Sequence, residues 1–177
     1  MGFLDLFRAK DPTDQWPVHT PVPLVFDLAR ISLNGVRFGQ PYEALITFGR
    51  PEKPQPVKTG DFCYFSSGFV VQVSGGKIAG MSFVFQDETR EGFVPCRLTL
   101  QVPGQSTLPL SPETIEQTIV RLLGPPPEHD TDADETLFFY RFNSCNIELE
   151  LTLAGFLKRF NAFPPSTNNQ PPTIATP

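Results

Sequence analysis

A helix-stopping glycine, followed two residues later by proline and then by an aromatic strand, occurs twice in this chain. The first copy is Phe48-Gly49-Arg50-Pro51 and the second is Leu123-Gly124-Pro125-Pro126, 75 residues apart from Gly49 to Gly124. Glycine supplies the backbone that ends a helix, and the proline beyond it prevents continuation. The residues beyond each stop keep step: Tyr64 precedes Tyr140 by 76 residues and Gly76 precedes Gly155 by 79. A nearly constant offset, with its small insertions in loops, is the mark of a duplication.

Before each stop lies a short helical segment, Gln40–Phe48 and Ser111–Leu123. Pro41 and Pro112 suit a first helical turn, Glu43 and Glu113 complement the helix N-terminus, and Ser111 suits an N-cap. Ile115, Ile119 and Leu122 form an apolar stripe of period 3.6. After each stop comes a polar loop, 52–60 and 127–136, and then the strands Phe62–Phe65 and Phe138–Arg141. The next strands alternate: Phe69, Val71 and Val73 oppose Val70, Gln72 and Ser74, and Ile147, Leu149 and Leu151 oppose Asn146, Glu148 and Glu150. Glycine turns lead into third strands at Lys77–Gln86 and Phe156–Ala162. Ahead of each helix a hairpin is expected, one turning at Asn34-Gly35 and the other at Pro103-Gly104.

The expected fold class is therefore α+β, in two tandem repeats, each a short helix packed on a three- to four-stranded antiparallel sheet. Residues 1–23 form a proline-rich N-terminal arm, 24–92 the first repeat, 93–163 the second, and 164–177 a proline-rich disordered tail.

The order of helix, Gly-x-Pro, Tyr-bearing strand, alternating strand, Gly turn and final strand resembles the BamE/SmpA-like unit. Phe48-Gly49-Arg50-Pro51 with Tyr64 and Gly76 carry it first, and Leu123-Gly124-Pro125-Pro126 with Tyr140 and Gly155 carry it again. A tandem pair is also similar to the β-lactamase inhibitor protein architecture, and small uncharacterised bacterial domains share the pattern. The resemblance spans residues 36–87 and 108–163 and implies a fold more than a function. The chain departs from the outer-membrane members in having no lipid-anchored cysteine near its start, and from the inhibitors in its scattered thiols.

Composition excludes several classes. A net charge of −5 over 177 residues, with Lys158-Arg159 as the longest basic run, argues against nucleic acid as partner. Three dispersed cysteines, Cys63, Cys96 and Cys145, fit free thiols in a cytoplasmic setting, with no metal and no cofactor implied. No segment approaches the ~20 apolar residues of a membrane span, and the N-terminus lacks signal-peptide features.

Among possible chemical groups, His19 falls in the proline-rich arm and His129 in an acidic loop, both expected to be solvated and without a spaced nucleophile. Asp130, Asp132 and Asp134 have the 1-3-5 spacing of a calcium loop, but Glu135 and Arg141 stand where the turn glycine and bidentate glutamate belong. Cys63, between aromatic neighbours, is expected to be a buried, unreactive thiol.

No catalytic set emerges. The expectation is a soluble, non-enzymatic binding protein, of the inhibitor, immunity or assembly-factor kind, with an unidentified protein partner. One helix per sheet leaves a second sheet face open. Tyr64 and Tyr140, if they reach that face, would be interface anchors. Phe3, Leu4 and Phe7, at helical spacing, form a second apolar candidate, for a partner groove or a membrane surface. The alternatives are thus a peripheral membrane protein using this N-terminal segment and an enzyme of unknown class relying on unpaired carboxylates or Cys63.

Overall fold

The computed structural model describes residues 11–53, 59–88, 90–105, 107–142 and 145–165. Its strands are β1 (Leu24–Asp27), β2 (Ser32–Leu33), β3 (Val36–Arg37), β4 (Thr59–Tyr64), β5 (Phe69–Ser74), β6 (Lys77–Val84), β7 (Leu98–Gln101), β8 (Leu108–Leu110), β9 (Glu128–Thr131), β10 (Glu135–Phe142), β11 (Cys145–Thr152) and β12 (Leu157–Phe163). They form a five-stranded sheet, β3-β2-β1-β7-β8, and a seven-stranded sheet, β4-β5-β6-β12-β11-β10-β9. The helical elements described are short: 3-10 helix Tyr42–Phe48, a single turn at Phe65–Ser67, and α1 (Glu116–Leu123).

This corrects the expected fold class. The chain is mostly β, and two α+β repeats with a sheet apiece are not what it forms. β6 from the first half pairs antiparallel with β12 from the second, through Phe83↔Phe160 and Ser82↔Asn161, so both halves contribute to one sheet. The segments ahead of the helices pair across the halves as well: β1 runs parallel to β7, with Leu24 opposite Leu98 and Phe26 opposite Leu100. Strand edges that a self-contained unit would leave bare are joined here, which satisfies their backbone groups.

Alternation decides which side of each strand is buried. In β11, Cys145, Ile147, Leu149 and Leu151 are buried while Asn146, Glu148, Glu150 and Thr152 are half-exposed. The inward rows of the large sheet meet the inward residues of β1. Phe26 lies edge-on to Phe83 and Phe160, with centroids 5.9 and 5.5 Å apart, and Tyr64 stacks on Phe69 at 4.5 Å. Such aromatic pairs add about 0.5–1.5 kcal/mol each beyond the area they bury.

Local expectations at the second helix and at 127–136 also need correction. The helix after Ser111 begins at Glu116, because Ile115 is held extended by its bridge to Phe156 and the Glu116 N–H donates to the Gly155 carbonyl at 2.8 Å. Ser111 and Pro112 therefore sit in a preceding turn, where the Ser111 N–H donates to Thr114 Oγ1 at 2.9 Å. The polar stretch 127–136 is not a loop throughout, since Glu128–Thr131 pairs with β10. The Asn34-Gly35 turn does form, with φ of +47° and +87° as a tight hairpin requires.

Candidate functional site

The aromatic anchors inferred from sequence point inward. Tyr64 is fully buried, and its hydroxyl donates to the Gly49 carbonyl at 3.2 Å. Tyr140 is also buried and donates to the Gly124 carbonyl at 2.9 Å. Each ring locks a helix end to the sheet behind it, so neither hydroxyl faces a partner. Burial drives both phenols upward, Tyr140 to about 12 with a smaller push from Glu116. Phe3, Leu4 and Phe7 lie outside the described residues.

His19 is not solvated. The imidazole is buried, with Nδ1 2.5 Å from the Phe48 carbonyl oxygen, Nε2 2.8 Å from Ser67 Oγ, and its edge on Tyr64. Its neighbours dock with it: the Arg50 N–H donates to Pro17 O at 2.7 Å, and Trp16 stacks on Tyr42 at 6.2 Å. A histidine beside a serine is the skeleton of a nucleophilic pair. Here the third partner is a neutral carbonyl, and Ser67 lines neither of the two surface hollows described below. The group acts as a staple joining residues 17–19 to the 3-10 helix and the β4–β5 turn.

His129 lies on β9, its ring edge-on to Phe138 at 6.5 Å. Asp132 closes the β9–β10 hairpin, its Oδ1 accepting the N–H groups of Asp134 (2.8 Å) and Glu135 (2.9 Å), which holds its carboxyl below the usual range. The three aspartates are turn and strand residues, and no metal-holding cluster occurs among the described residues. Burial pushes the thiols up, Cys63 and Cys145 to about 11 and Cys96 to about 12, far from thiolate character at neutral pH.

The side chains that do assemble lie on the outward face of the seven-stranded sheet. The pairings put Val70, Ser82, Asn161, Glu148 and Phe139 in one row across five strands. Arg159, Glu150 and Leu137 form the next row, which ends at the buried Val84. Asn161 is the hub. Its Nδ2 donates to Glu148 Oε1 and to Glu150 Oε1, each at 2.9 Å, and its Oδ1 accepts from Ser82 Oγ at 2.6 Å. Carboxylates only accept, so this amide orientation is the one the chemistry requires.

Arg159 Nε stands 3.7 Å from Glu150 Oε2. Desolvation raises the Glu150 carboxyl, with Arg159 and Asn161 acting against it. Half-exposed Leu137, Phe139, Val70 and Phe163 surround this polar centre. Lys158, the other half of the chain's longest basic run, does not share this face. Instead the Lys158 ammonium is buried between Glu88 and Glu135, at 2.7 and 2.6 Å. Burial alone would lower its pKa, but the two carboxylates outweigh it and the pKa is raised.

The sheet edges are poor templates for an added strand. β8 carries Pro109 on an edge, β3 has two residues, and β9 presents Glu128, His129 and Asp130. On β4 the Cys63 carbonyl is taken by the Glu52 N–H at 2.9 Å. Proline, short length and charge are the usual means of blunting an edge.

Two open hollows lie on the surface, and the second of them spans the junction of the sheets. One, of about 440 Å³, lies over the outer side of the small sheet and is lined by Val25, Asp27, Arg30, Ser32 and Arg37, among others. The other, of about 570 Å³, is lined by Arg30, Arg37, Lys77, Ile31, Phe38 and Pro164, among others.

Among the described residues no helix is long and apolar enough to cross a membrane. No family model matches the chain, and no curated protein matches it significantly. Among solved structures, the chain is similar to the crystal structure of a DUF4309 family protein (YjgB) from Bacillus subtilis subsp. subtilis str. 168. The two are 13% identical with a TM-score of 0.50, over 75% of this chain and 84% of that one. At that identity the likeness speaks to fold alone, and it lends no support to a BamE/SmpA-like unit.

Proposed function

We propose that this chain is a non-enzymatic protein-binding module, of the inhibitor, immunity or assembly-factor kind, that docks its partner on the open face of the seven-stranded sheet. The observation that carries the reading is the Ser82–Asn161–Glu148/Glu150 network, hydrogen-bonded in advance, with Arg159 ion-paired to Glu150 and Leu137, Phe139 and Phe163 at its border. Such a face loses little conformational freedom on binding, because its polar side chains already hold one another. It also combines aromatic contact area with a fixed polar centre, as hot-spot regions do. The blunted edges leave the face as the better presented surface.

The test is affinity capture of the full chain from its native cell, beside the Phe139→Arg variant. The reading expects one stoichiometric protein with the parent chain and its loss with the variant. Equal recovery from both, or no stoichiometric protein from either, contradicts it.

A further inference from the structure

We infer that the cleft among Arg30, Arg37 and Lys77 binds an organic anion with an apolar body, of the medium-chain carboxylate class. Three backbone contacts build it. The Gly39 N–H donates to Ile78 O at 2.8 Å and the Ile78 N–H to Gln40 O at 2.9 Å, while Pro41 bridges to Lys77. These stitch the end of β3 to the start of β6 and bring Arg37 toward Lys77, across the junction of the two sheets.

The charge there is concentrated against the trend of the chain, whose net charge is −5. Among the described residues neither Arg37 nor Lys77 makes an ion pair, and Arg30 reaches only Asp27, at 3.6 Å with its own side chain 72% exposed. Among the described residues Asp27 is the one carboxylate lining either hollow, and it is absent from the larger. An exposed pair of that length contributes little and leaves most of the guanidinium fork available. Part of the wall is apolar, from Ile31, Phe38, Ile78 and Pro164. A volume of about 570 Å³ falls within the range of small-molecule sites.

A second observation lies in the backbone. Ile31, buried on this wall, has φ of +49°, a conformation a β-branched residue avoids. The turn just before it is closed by Asp27 Oδ1, which accepts the N–H groups of Ala29 (2.8 Å) and Arg30 (3.1 Å). Strain of this kind clusters where ligands are held. Here it puts an apolar side chain and a guanidinium on neighbouring positions of one cleft.

The experiment is a titration of the isotope-labelled full chain with decanoate, read by amide chemical shifts, against acetate and decanol. Saturable shifts at Phe38, Gly39 and Lys77–Ala79 are expected, with acetate and decanol each bound at least about tenfold more weakly. Arg37→Gln with Lys77→Gln, both exposed positions, is expected to weaken decanoate by about tenfold or more while leaving distant amides unmoved. The inference is overturned by an absence of saturable shifts in the low millimolar range, by shifts mapping elsewhere, by decanol binding as well as decanoate, or by unchanged affinity in the double variant.

Discussion

The Tyr64 hydroxyl donates to the carbonyl of Gly49, and the Tyr140 hydroxyl makes the same contact with Gly124. In both places a tyrosine from the strand behind a helix satisfies the carbonyl that the stop leaves without an intrahelical partner. The contact is local to each helix end and does not require separate domains.

Loss of these hydroxyls should be felt in stability. Tyr64→Phe, at the more deeply buried site, is expected to lower the unfolding free energy by about 1–2 kcal/mol, and Tyr140→Phe by about half that. Both phenols have raised pKa values, so their contribution is whole below the unfolded value near 10 and fades as pH rises through the folded one, about 12 for Tyr140. Urea midpoints at pH 8 and pH 11 should therefore fall more steeply for the parent chain than for the double Tyr→Phe variant.

Lys158 ties β12 to β10 and to the segment after β6 through Glu135 and Glu88. Lys158→Met is expected to destabilise by about 1–3 kcal/mol, because Glu135 is left half-buried without its cation. Adding Glu135→Leu should recover part of the loss, giving a non-additive double-mutant cycle. Because the ammonium is stabilised when charged, its contribution holds below the unfolded pKa near 10.4 and is lost only above it.

Glu150 carries the opposite sign. Its carboxyl is raised chiefly by desolvation, so its charge opposes folding at neutral pH and that opposition fades as pH falls through the folded pKa. Glu150→Gln keeps an acceptor for Asn161, and thermal melts at pH 7 should show it about 1–3 °C more stable than the parent. At acid pH the gap should close.

Gly68 stands where no side chain fits. A Cβ there would lie 2.3 Å from the Val94 carbonyl oxygen and 2.6 Å from the Cys96 nitrogen, at φ of +70°. Gly68→Ala is expected to cost about 3 kcal/mol or more by denaturant titration. Gly92→Ala, with φ of +90° but open space, should cost only about 1 kcal/mol.

Much of the strand inventory was legible because period-2 alternation is a local signal. Phe69–Ser74 and Cys145–Thr152 declare their buried sides without reference to anything distant. β9 was not legible, since an edge strand of sequence Glu-His-Asp-Thr, exposed throughout, has no apolar residue to mark it. The pairings β6–β12 and β1–β7 are tertiary facts, and missing them produced two repeats with a sheet apiece in place of two shared sheets.

The same gap hid most of the candidate site. Glu148 and Glu150 were visible as outward residues, but Ser82 and Asn161 join them only once β12 is known to lie between β6 and β11. His19 was misjudged because proline spacing suggested a free arm, whereas its ring meets Phe48 and Ser67 in the fold. The inward turn of Tyr64 and Tyr140 does follow from register, as each faces the same way as its buried neighbours two residues away, Phe62 and Phe138.

The most direct measurement is site-specific photocrosslinking in the native cell, with a benzoylphenylalanine replacing Phe139. As control it replaces Ala133, an exposed residue of the β9–β10 turn. Docking on the sheet face predicts one discrete protein adduct from position 139 and none from 133. Equal adducts from the two positions, or none from 139, would contradict it.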